Sequence, residues 1–286
     1  MKWTPGDRGN IEDLRGRSGG MRAMPMGIGG VLVLLLLSWA TGVDFMSLVG
    51  GGGGGGTAPS ASVGTTGPVT ASPEEEKTVD FLDAVMGDAQ DTWQQLLGSR
   101  YQRTTLRLFR DGVDTTGCGY AQSASGPFYC PGDRHVYLDL GFFEELTKRF
   151  GAAGDFAQAY VVAHEIGHHV QTVTGIEAQV RQQQSQSPGA RNALSVKMEL
   201  QADCFAGVWA HATAQPGRGQ RRVELESGDL EEGLRAAAAI GDDRIQRMST
   251  GRVFPEKFTH GSSEQRVAAL RRGFDSGDPQ ACNAFQ

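Results

Sequence analysis

The sequence is short of positive charge and of cysteine. It has 27 Lys and Arg against 33 Asp and Glu, which gives a formal net charge of −6 at pH 7. No long basic run occurs beyond the amino-terminal segment, so the composition argues against nucleic-acid binding. The chain contains only four cysteines and no C-x-x-C pair. Metal ligation by thiolates is therefore disfavoured.

The four cysteines instead suggest disulfides. An even number of cysteines on the non-cytoplasmic side of a membrane favours two bridges. Pairing Cys118 with Cys130 would close a short loop, and pairing Cys204 with Cys282 would tie the C-terminal tail to the core. We favour this connectivity, although the sequence leaves it open.

The amino-terminal region has the pattern of a membrane anchor. Basic residues precede an apolar stretch at residues 24–43. About 20 apolar residues suffice to span a bilayer, and the preceding positive charges favour a cytoplasmic amino terminus. We therefore expect residues 1–23 to be a cytoplasmic leader outside the globular fold and residues 24–43 to be a transmembrane helix. A cleaved signal peptide is the competing interpretation, but no clear A-x-A site is present.

The next segment, residues 44–72, has the composition of a linker. It contains seven consecutive glycines, Gly50–Gly56, and is otherwise rich in Ser, Thr, Ala and Pro. Such a segment cannot bury enough apolar surface to fold, so we expect a flexible tether. Residues 73–286 would then form the folded domain, outside the cytoplasmic membrane.

Residue patterns in this domain predict a mainly α fold with a small β-sheet, of the α+β class. A capping box at Ser72–Glu75 opens a helix to about residue 97, and residues 135–140 alternate as a strand does. Asp155 is expected to cap the helix that follows. Residues 117–132 and 182–189 are expected to be loops. Further helices are expected at residues 142–150, 155–175, 191–213, 225–248 and 263–272.

The most informative motif is the H-E-x-x-H pattern at His164–His168, which lies in an apolar run. On a helix, His164 and His168 lie one turn apart on one face and can bind a single metal ion. Glu165 would project beside the metal, where its carboxylate can take a proton from a water molecule. The pattern predicts one zinc ion, with Glu165 as a catalytic residue.

A third ligand must come from elsewhere, because zinc in hydrolases takes three protein ligands. Gln171 and Thr174 exclude the three-histidine extension H-E-x-x-H-x-x-G-x-x-H. Glu199 and Asp203 are four residues apart and share a face of a later helix. We predict that Glu199 is the third ligand and that Asp203 accepts the free N–H of a zinc histidine. The simpler alternative for Glu199 is a solvent-facing helix residue.

Other polar residues have weaker claims. His260 lies in a turn before a helix, where a histidine could hold the oxyanion of a tetrahedral intermediate. An ordinary loop histidine is the alternative, and Tyr137 is a weaker candidate for the same role. His169 points about 100° away from His168 around the helix, so we expect it to pack or to support the site. His135 is expected to be a surface residue on a strand.

Segments along nearly the whole chain match one family in order: Trp3, Asn10–Asp13, Arg15–Gly16, Gly126–Pro131, Tyr137–Asp139, His164–His169, Glu199–Cys204, Gly241–Asp243 and His260–Ser262. The chain thus resembles the bacterial neutral zinc metallopeptidase family of single-pass membrane proteins. The resemblance implies a zincin-like domain behind an N-terminal transmembrane helix, with a peptide or protein as substrate. The Glu199 and Asp203 pair is similar to the thermolysin-like pattern.

Two other functions stay open at this point. One is a zinc-containing envelope protein that binds a partner without cleaving it. The other is a zinc amidase that acts on cell-wall peptides. A purely structural zinc site is disfavoured, because structural sites have four protein ligands and only three can be identified.

Overall fold

Eight α-helices and eight short strands make up the part of the chain that the structure, a computed structural model, describes: residues 1–16, 69–215 and 222–285. This confirms the predicted mainly α class with a small sheet. The helices are α1 (Pro73–Leu97), α2 (Gly141–Lys148), α3 (Asp155–Val173), α4 (Ile176–Gln186), α5 (Arg191–Ala214), α6 (Asp229–Ala239), α7 (Asp242–Thr250) and α8 (Ser263–Ser276). The strands are β1 (Lys2–Trp3), β2 (Ile11–Asp13), β3 (Leu106–Phe109), β4 (Gly112–Thr115), β5 (Gly119–Gln122), β6 (Phe128–Cys130), β7 (His135–Asp139) and β8 (Val223–Glu224).

The expected transmembrane helix at residues 24–43 lies outside the described residues, as does the expected linker up to residue 68. Among the helices that the structure does describe, none combines the length and apolarity needed to cross a bilayer. The transmembrane and linker boundaries therefore stay predictions.

The main sheet has four strands in the order β2, β3, β7, β6. The first three run parallel and β6 is antiparallel to β7. Side chains alternate along β7, as the period of a strand requires. Val136 and Leu138 join the main core, which also contains the apolar residues of α3, while Tyr137 joins a second cluster with Leu14 and Phe109. The sheet therefore covers α3 with one face only.

The main core is built where α3, α5 and α8 pack together. Trp209 of α5 stacks on Phe156 of α3, with ring centroids 6.0 Å apart. The crossing of α5 and α8 is close because Gly273 has no side chain: a Cβ there would lie 1.8 Å from the carbonyl oxygen of Cys204. This crossing brings the polar side chains of α8 up to those of α5.

Both expected disulfides are present. Cys118 pairs with Cys130 and joins the β4–β5 hairpin to β6. Cys204 pairs with Cys282 and joins α5 to the C-terminal 3₁₀ turn, Pro279–Cys282.

Several local expectations were wrong. The expected loop at residues 117–132 contains β5 and β6, because each short strand is defined by a partner rather than by its own pattern. The expected connection at residues 182–189 is helical up to Gln186. Asp155 does not cap α3: the cap position is Gly154, and the Asp155 carboxylate binds the amino group of Met1 at 3.0 Å.

The expected leader at residues 1–23 is corrected for residues 1–16, which belong to the folded domain, while residues 17–23 lie outside the described residues. Strand β1 pairs with β8, and β2 extends the main sheet beside β3. The basic residues of this segment bind acidic residues of α1. Arg8 donates to Glu76 at 2.6 Å, and the buried Arg15 donates to Glu75 at 2.7 Å and to Glu76 at 2.8 Å. The interpretation from composition was wrong because Arg8 and Arg15, which resemble the basic flank of a membrane helix, form ion pairs within the domain.

Hydrogen-bonded strands cannot lie on opposite sides of a bilayer. Residues 1–16 therefore lie on the same side of any membrane as β3 and β8, the strands with which they pair. A cytoplasmic leader and an extracytoplasmic domain do not fit together with this pairing, and the compartment itself stays a prediction.

Replacing Leu14 tests this correction. Leu14 is 9% exposed in the second core cluster, so Leu14→Ala should lower the free energy of unfolding by about 2 kcal/mol. Leu96→Ala is the matched control, because Leu96 is 41% exposed on α1. Urea unfolding of the full chain measures both. Equal, small effects at the two positions would mean that the amino-terminal segment is a leader outside the fold after all.

Candidate functional site

Two helices bring three predicted metal ligands together. Nε2 of His164 lies 3.1 Å from one carboxylate oxygen of Glu199, and Nε2 of His168 lies 3.4 Å from the other. One ligand atom from each residue falls within a group whose members are all within 4.8 Å of one another. The motif helix α3 and the later helix α5 thus supply a two-histidine, one-carboxylate group.

The close approach of α3 and α5 explains the glycine inside the motif. A Cβ at Gly167 would lie 2.9 Å from both Cα and the carbonyl oxygen of Ala202. A side chain at this position would push the helices apart. Because Gly167 lies between the two histidines, the contact sets the distance from both rings to Glu199.

The outer nitrogen of His164 is held by a buried carboxylate. Nδ1 of His164 lies 2.7 Å from Oδ1 of Asp203, which is fully buried. Arg266 of α8 donates to both Asp203 oxygens, at 2.8 and 2.9 Å, and the hydroxyl of Tyr160 donates to Oδ1 at 2.6 Å. Asp203 therefore lies where the sequence predicted it. Tyr160 and Arg266 were not foreseen.

The outer nitrogen of His168 is held by a neutral amide. Oε1 of Gln171 lies 2.8 Å from Nδ1 of His168. Gln171 is completely buried. From the sequence, Gln171 was used only to exclude the three-histidine extension. Its position three residues after His168 could have predicted a contact along the helix.

These outer contacts leave both Nε2 atoms facing Glu199. A carboxylate only accepts hydrogen bonds, so Nδ1 of His164 carries a proton toward Asp203. Nε2 then faces Glu199 with a second proton in the charged ring, or with a lone pair in the neutral ring that binds a metal. Lone pairs this close repel unless a proton or a cation lies between them. Ligands about 2.0 Å from a tetrahedral zinc ion would be about 3.3 Å apart, close to the 3.1 and 3.4 Å observed. The residues present therefore fit a zinc ion.

Opposite charges in the site shift the pKa values of their neighbours so that each charged form is favoured. Burial alone would lower the pKa of His164, but Asp203 and Glu199 raise it to about 10. Burial alone would raise the pKa of Glu199, but His168 and His164 hold it well below its usual range. Burial would likewise raise the pKa of Asp203, which Arg266 and His164 lower to about 2. The site thus keeps its carboxylates ionised, as metal binding requires.

Glu165 follows His164 on α3 and is 7% exposed. Its carboxylate makes no hydrogen bond or ion pair with any other residue that the structure describes. It is near enough to His168 to add to the rise in that residue's pKa, which burial opposes and Glu199 chiefly supports. A carboxylate beside the ligand group that makes no such contact with the described residues suits proton transfer.

His260 lies in the turn before α8, beside Asp242. Its side chain is 51% exposed, and Nδ1 lies 3.3 Å from Oδ1 of Asp242. Asp242 also shapes the turn, because its other oxygen accepts the backbone N–H groups of Thr259, His260 and Gly261. The electrostatic influence of His260 reaches Glu199, whose pKa it helps to lower. Asp242 was not expected to act on His260.

His169 supports the fold near the site but does not face it. It is completely buried, and burial lowers its pKa to about 4, so the ring is neutral. Nε2 donates to the carbonyl of Gln102, and Nδ1 accepts from the hydroxyl of Tyr129 at 3.0 Å. These bonds tie α3 to β6, in line with the packing role expected.

Tyr137 is not near the ligand group. Its ring lies in the second cluster, on the face of the sheet away from α3, and its hydroxyl donates to Asp133 at 2.7 Å. His135 is half-buried rather than a plain surface residue, with Nδ1 3.5 Å from Asp133. The structure therefore does not support Tyr137 as an oxyanion donor.

Two histidines at i and i+4, a glutamate between them and a third ligand on a later helix define the zinc-hydrolase class of site. The chain belongs to the family described as "Putative neutral zinc metallopeptidase", whose family model matches residues 1–285.

The chain is also similar to curated proteins from other bacteria. The chain is 46% identical to "Uncharacterized protein YpfJ" of Escherichia coli K12 over 298 aligned residues, covering 100% of this chain and 99% of that protein. It is 46% identical to "Uncharacterized protein Rv2575" of Mycobacterium tuberculosis H37Rv over 198 residues, covering 68% of this chain and 66% of that protein. No solved structure gives a significant match.

Proposed function

We propose that this protein is a zinc-dependent peptidase in which His164, His168 and Glu199 hold one zinc ion. The observation that carries the proposal is the convergence of two Nε2 atoms on one carboxylate, with both imidazoles held from behind. Membership of the zinc metallopeptidase family supports the same reaction class.

The reaction proposed is hydrolysis of a peptide bond. When bound, zinc supplies a Lewis acid that lowers the pKa of a water molecule to about 7. Glu165 acts as general base: it takes a proton from the attacking water and passes it to the leaving amine. Its position next to His164 on α3 and its lack of a partner among the described residues support this role.

His260 is proposed to hold the oxyanion that forms on the scissile carbonyl. Its ring is half-exposed, so a substrate can reach it, and its charge acts on Glu199. Asp242 accepts from Nδ1 and orients the ring. Burial would lower the pKa of His260, but Asp242 and Glu199 raise it. In the protonated ring Nε2 also carries a proton and donates to the substrate oxygen. Donors placed in advance where charge develops are a strong source of rate enhancement.

The compartment proposed is extracytoplasmic. Two disulfides support it, because such bonds persist in oxidising environments. The strand pairing of residues 1–16 adds that the amino-terminal segment shares this compartment with the domain.

Glu165→Gln separates zinc binding from catalysis. The variant should keep one zinc per chain, because Glu165 is not a ligand, and should lose hydrolysis of a broad peptide library, because an amide cannot take the proton. Glu144→Gln is the control, since Glu144 is a 73% exposed glutamate on α2.

Metal analysis and mass spectrometry of the digests measure both properties. Cleavage by Glu165→Gln at the wild-type rate would contradict the mechanism. A wild-type protein that binds zinc but cleaves no peptide would favour a binding protein, and cleavage restricted to peptidoglycan fragments would favour an amidase.

Replacing His260 tests the oxyanion role. His260→Ala should keep zinc and lower kcat by about 100- to 1,000-fold, with a smaller change in KM, because the lost hydrogen bond forms mainly in the transition state. His135→Ala, at a half-buried histidine on β7, is the control. If kcat were unchanged in His260→Ala, the residue would be an ordinary loop histidine.

A further inference from the structure

The side-chain amide of Gln171 uses all of its hydrogen-bonding groups between α3 and α5. Its oxygen faces Nδ1 of His168 at 2.8 Å. Its nitrogen donates to the carbonyl of Met198 at 2.7 Å and to Oε1 of Gln201 at 3.1 Å. Gln201 in turn donates to the carbonyl of Cys282 at 3.1 Å. Four hydrogen bonds thus form one connected, buried network.

The network has only one consistent direction. The carbonyl of Cys282 can only accept, so the nitrogen of Gln201 must face it and its oxygen must face Gln171. That oxygen and the carbonyl of Met198 are both acceptors, so they take the nitrogen of Gln171. The Gln171 oxygen is left to accept from Nδ1–H of His168. In the neutral ring the lone pair then lies on Nε2, the nitrogen that faces Glu199.

The anchor of this network is firmly placed. Cys282 is 1% exposed and is bonded to Cys204 of α5. The disulfide therefore holds the first acceptor of the network against the helix that carries Glu199. His164 and His168 differ in this respect: the first depends on the Asp203 and Arg266 ion pair, and the second on neutral amides.

We propose that Gln171 is the positioning residue of His168 and that the Gln171–Gln201 amide pair, anchored on Cys282, fixes the tautomer of His168 for zinc. The inference rests on the zinc site proposed above. Groups that hold the second nitrogen of a zinc histidine fix its orientation and contribute to metal affinity.

A plain structural role is the alternative, in which Gln171 only joins α3 to α5. The two roles predict opposite rankings of zinc affinity for two substitutions of Gln171. Gln171→Glu keeps an oxygen acceptor for His168 but introduces a buried charge, whereas Gln171→Met removes the acceptor and introduces no charge. A structural role makes the glutamate variant the worse one in every property. A positioning role makes the methionine variant the worse one in zinc affinity, even where the glutamate variant is the less stable.

The experiment measures the zinc affinity of the folded full chain by competition with a chromophoric chelator, and it needs no substrate. Gln171→Met should bind zinc about 10- to 100-fold more weakly than wild type. Gln171→Glu should lie nearer to wild type, and Gln201→Met should be intermediate, since it leaves the amide of Gln171 free to turn. Gln183→Met, at an exposed glutamine of α4, is the control. Thermal unfolding of each zinc-free variant reports stability separately.

The outcomes separate this inference from the proposed function. If wild type binds zinc tightly and Gln171→Met does the same, Gln171 does not position His168, and the proposed zinc site stands. An affinity for Gln171→Glu below that of Gln171→Met would also overturn the positioning role. If wild type binds no zinc, the proposed function fails and the inference falls with it.

Discussion

The contact between Gly167 and Ala202 is the constraint on which the candidate site depends. It lets α3 approach α5 at the level of the two motif histidines, and a side chain at Gly167 would meet the backbone of α5 at 2.9 Å. That approach allows Glu199 to reach both rings. The same interface buries Gln171 against Gln201. One contact between helices therefore positions the proposed ligands and also the amides that hold His168.

The two histidines are held by groups of different charge: a carboxylate holds His164, and a neutral amide holds His168. The charge of Asp203 is balanced by Arg266, which lies 3% exposed on α8. Removing either member of such a buried pair leaves an uncompensated charge, which typically costs about 3–5 kcal/mol. Gln171 introduces no charge behind His168. Among the described residues, Glu199 forms its ion pairs with the two ligand histidines themselves, and the charge of His260 also acts on it.

What could be foreseen from the sequence was local or followed from known zinc chemistry. The helical spacing placed His164 and His168 together, and the need for a third ligand pointed to Glu199. Arg266 could not be foreseen, because nothing in the sequence indicates that α8 crosses α5 closely enough to reach Asp203. The amino-terminal segment was misread for a related reason: Arg15 pairs with acidic residues of α1 that lie 60 and 61 positions away. Contacts between distant positions leave no periodic pattern.

The central claim is that two imidazoles and one carboxylate form the metal site, and X-ray absorption at the zinc edge of the zinc-loaded protein tests it most directly. The account predicts a first shell of nitrogen and oxygen atoms at about 2.0–2.1 Å, with two imidazole rings visible in the outer shells. Glu199→Ala should lose one oxygen ligand or lose zinc altogether. A shell containing sulfur at about 2.3 Å, or one that is unchanged by Glu199→Ala, would contradict the account.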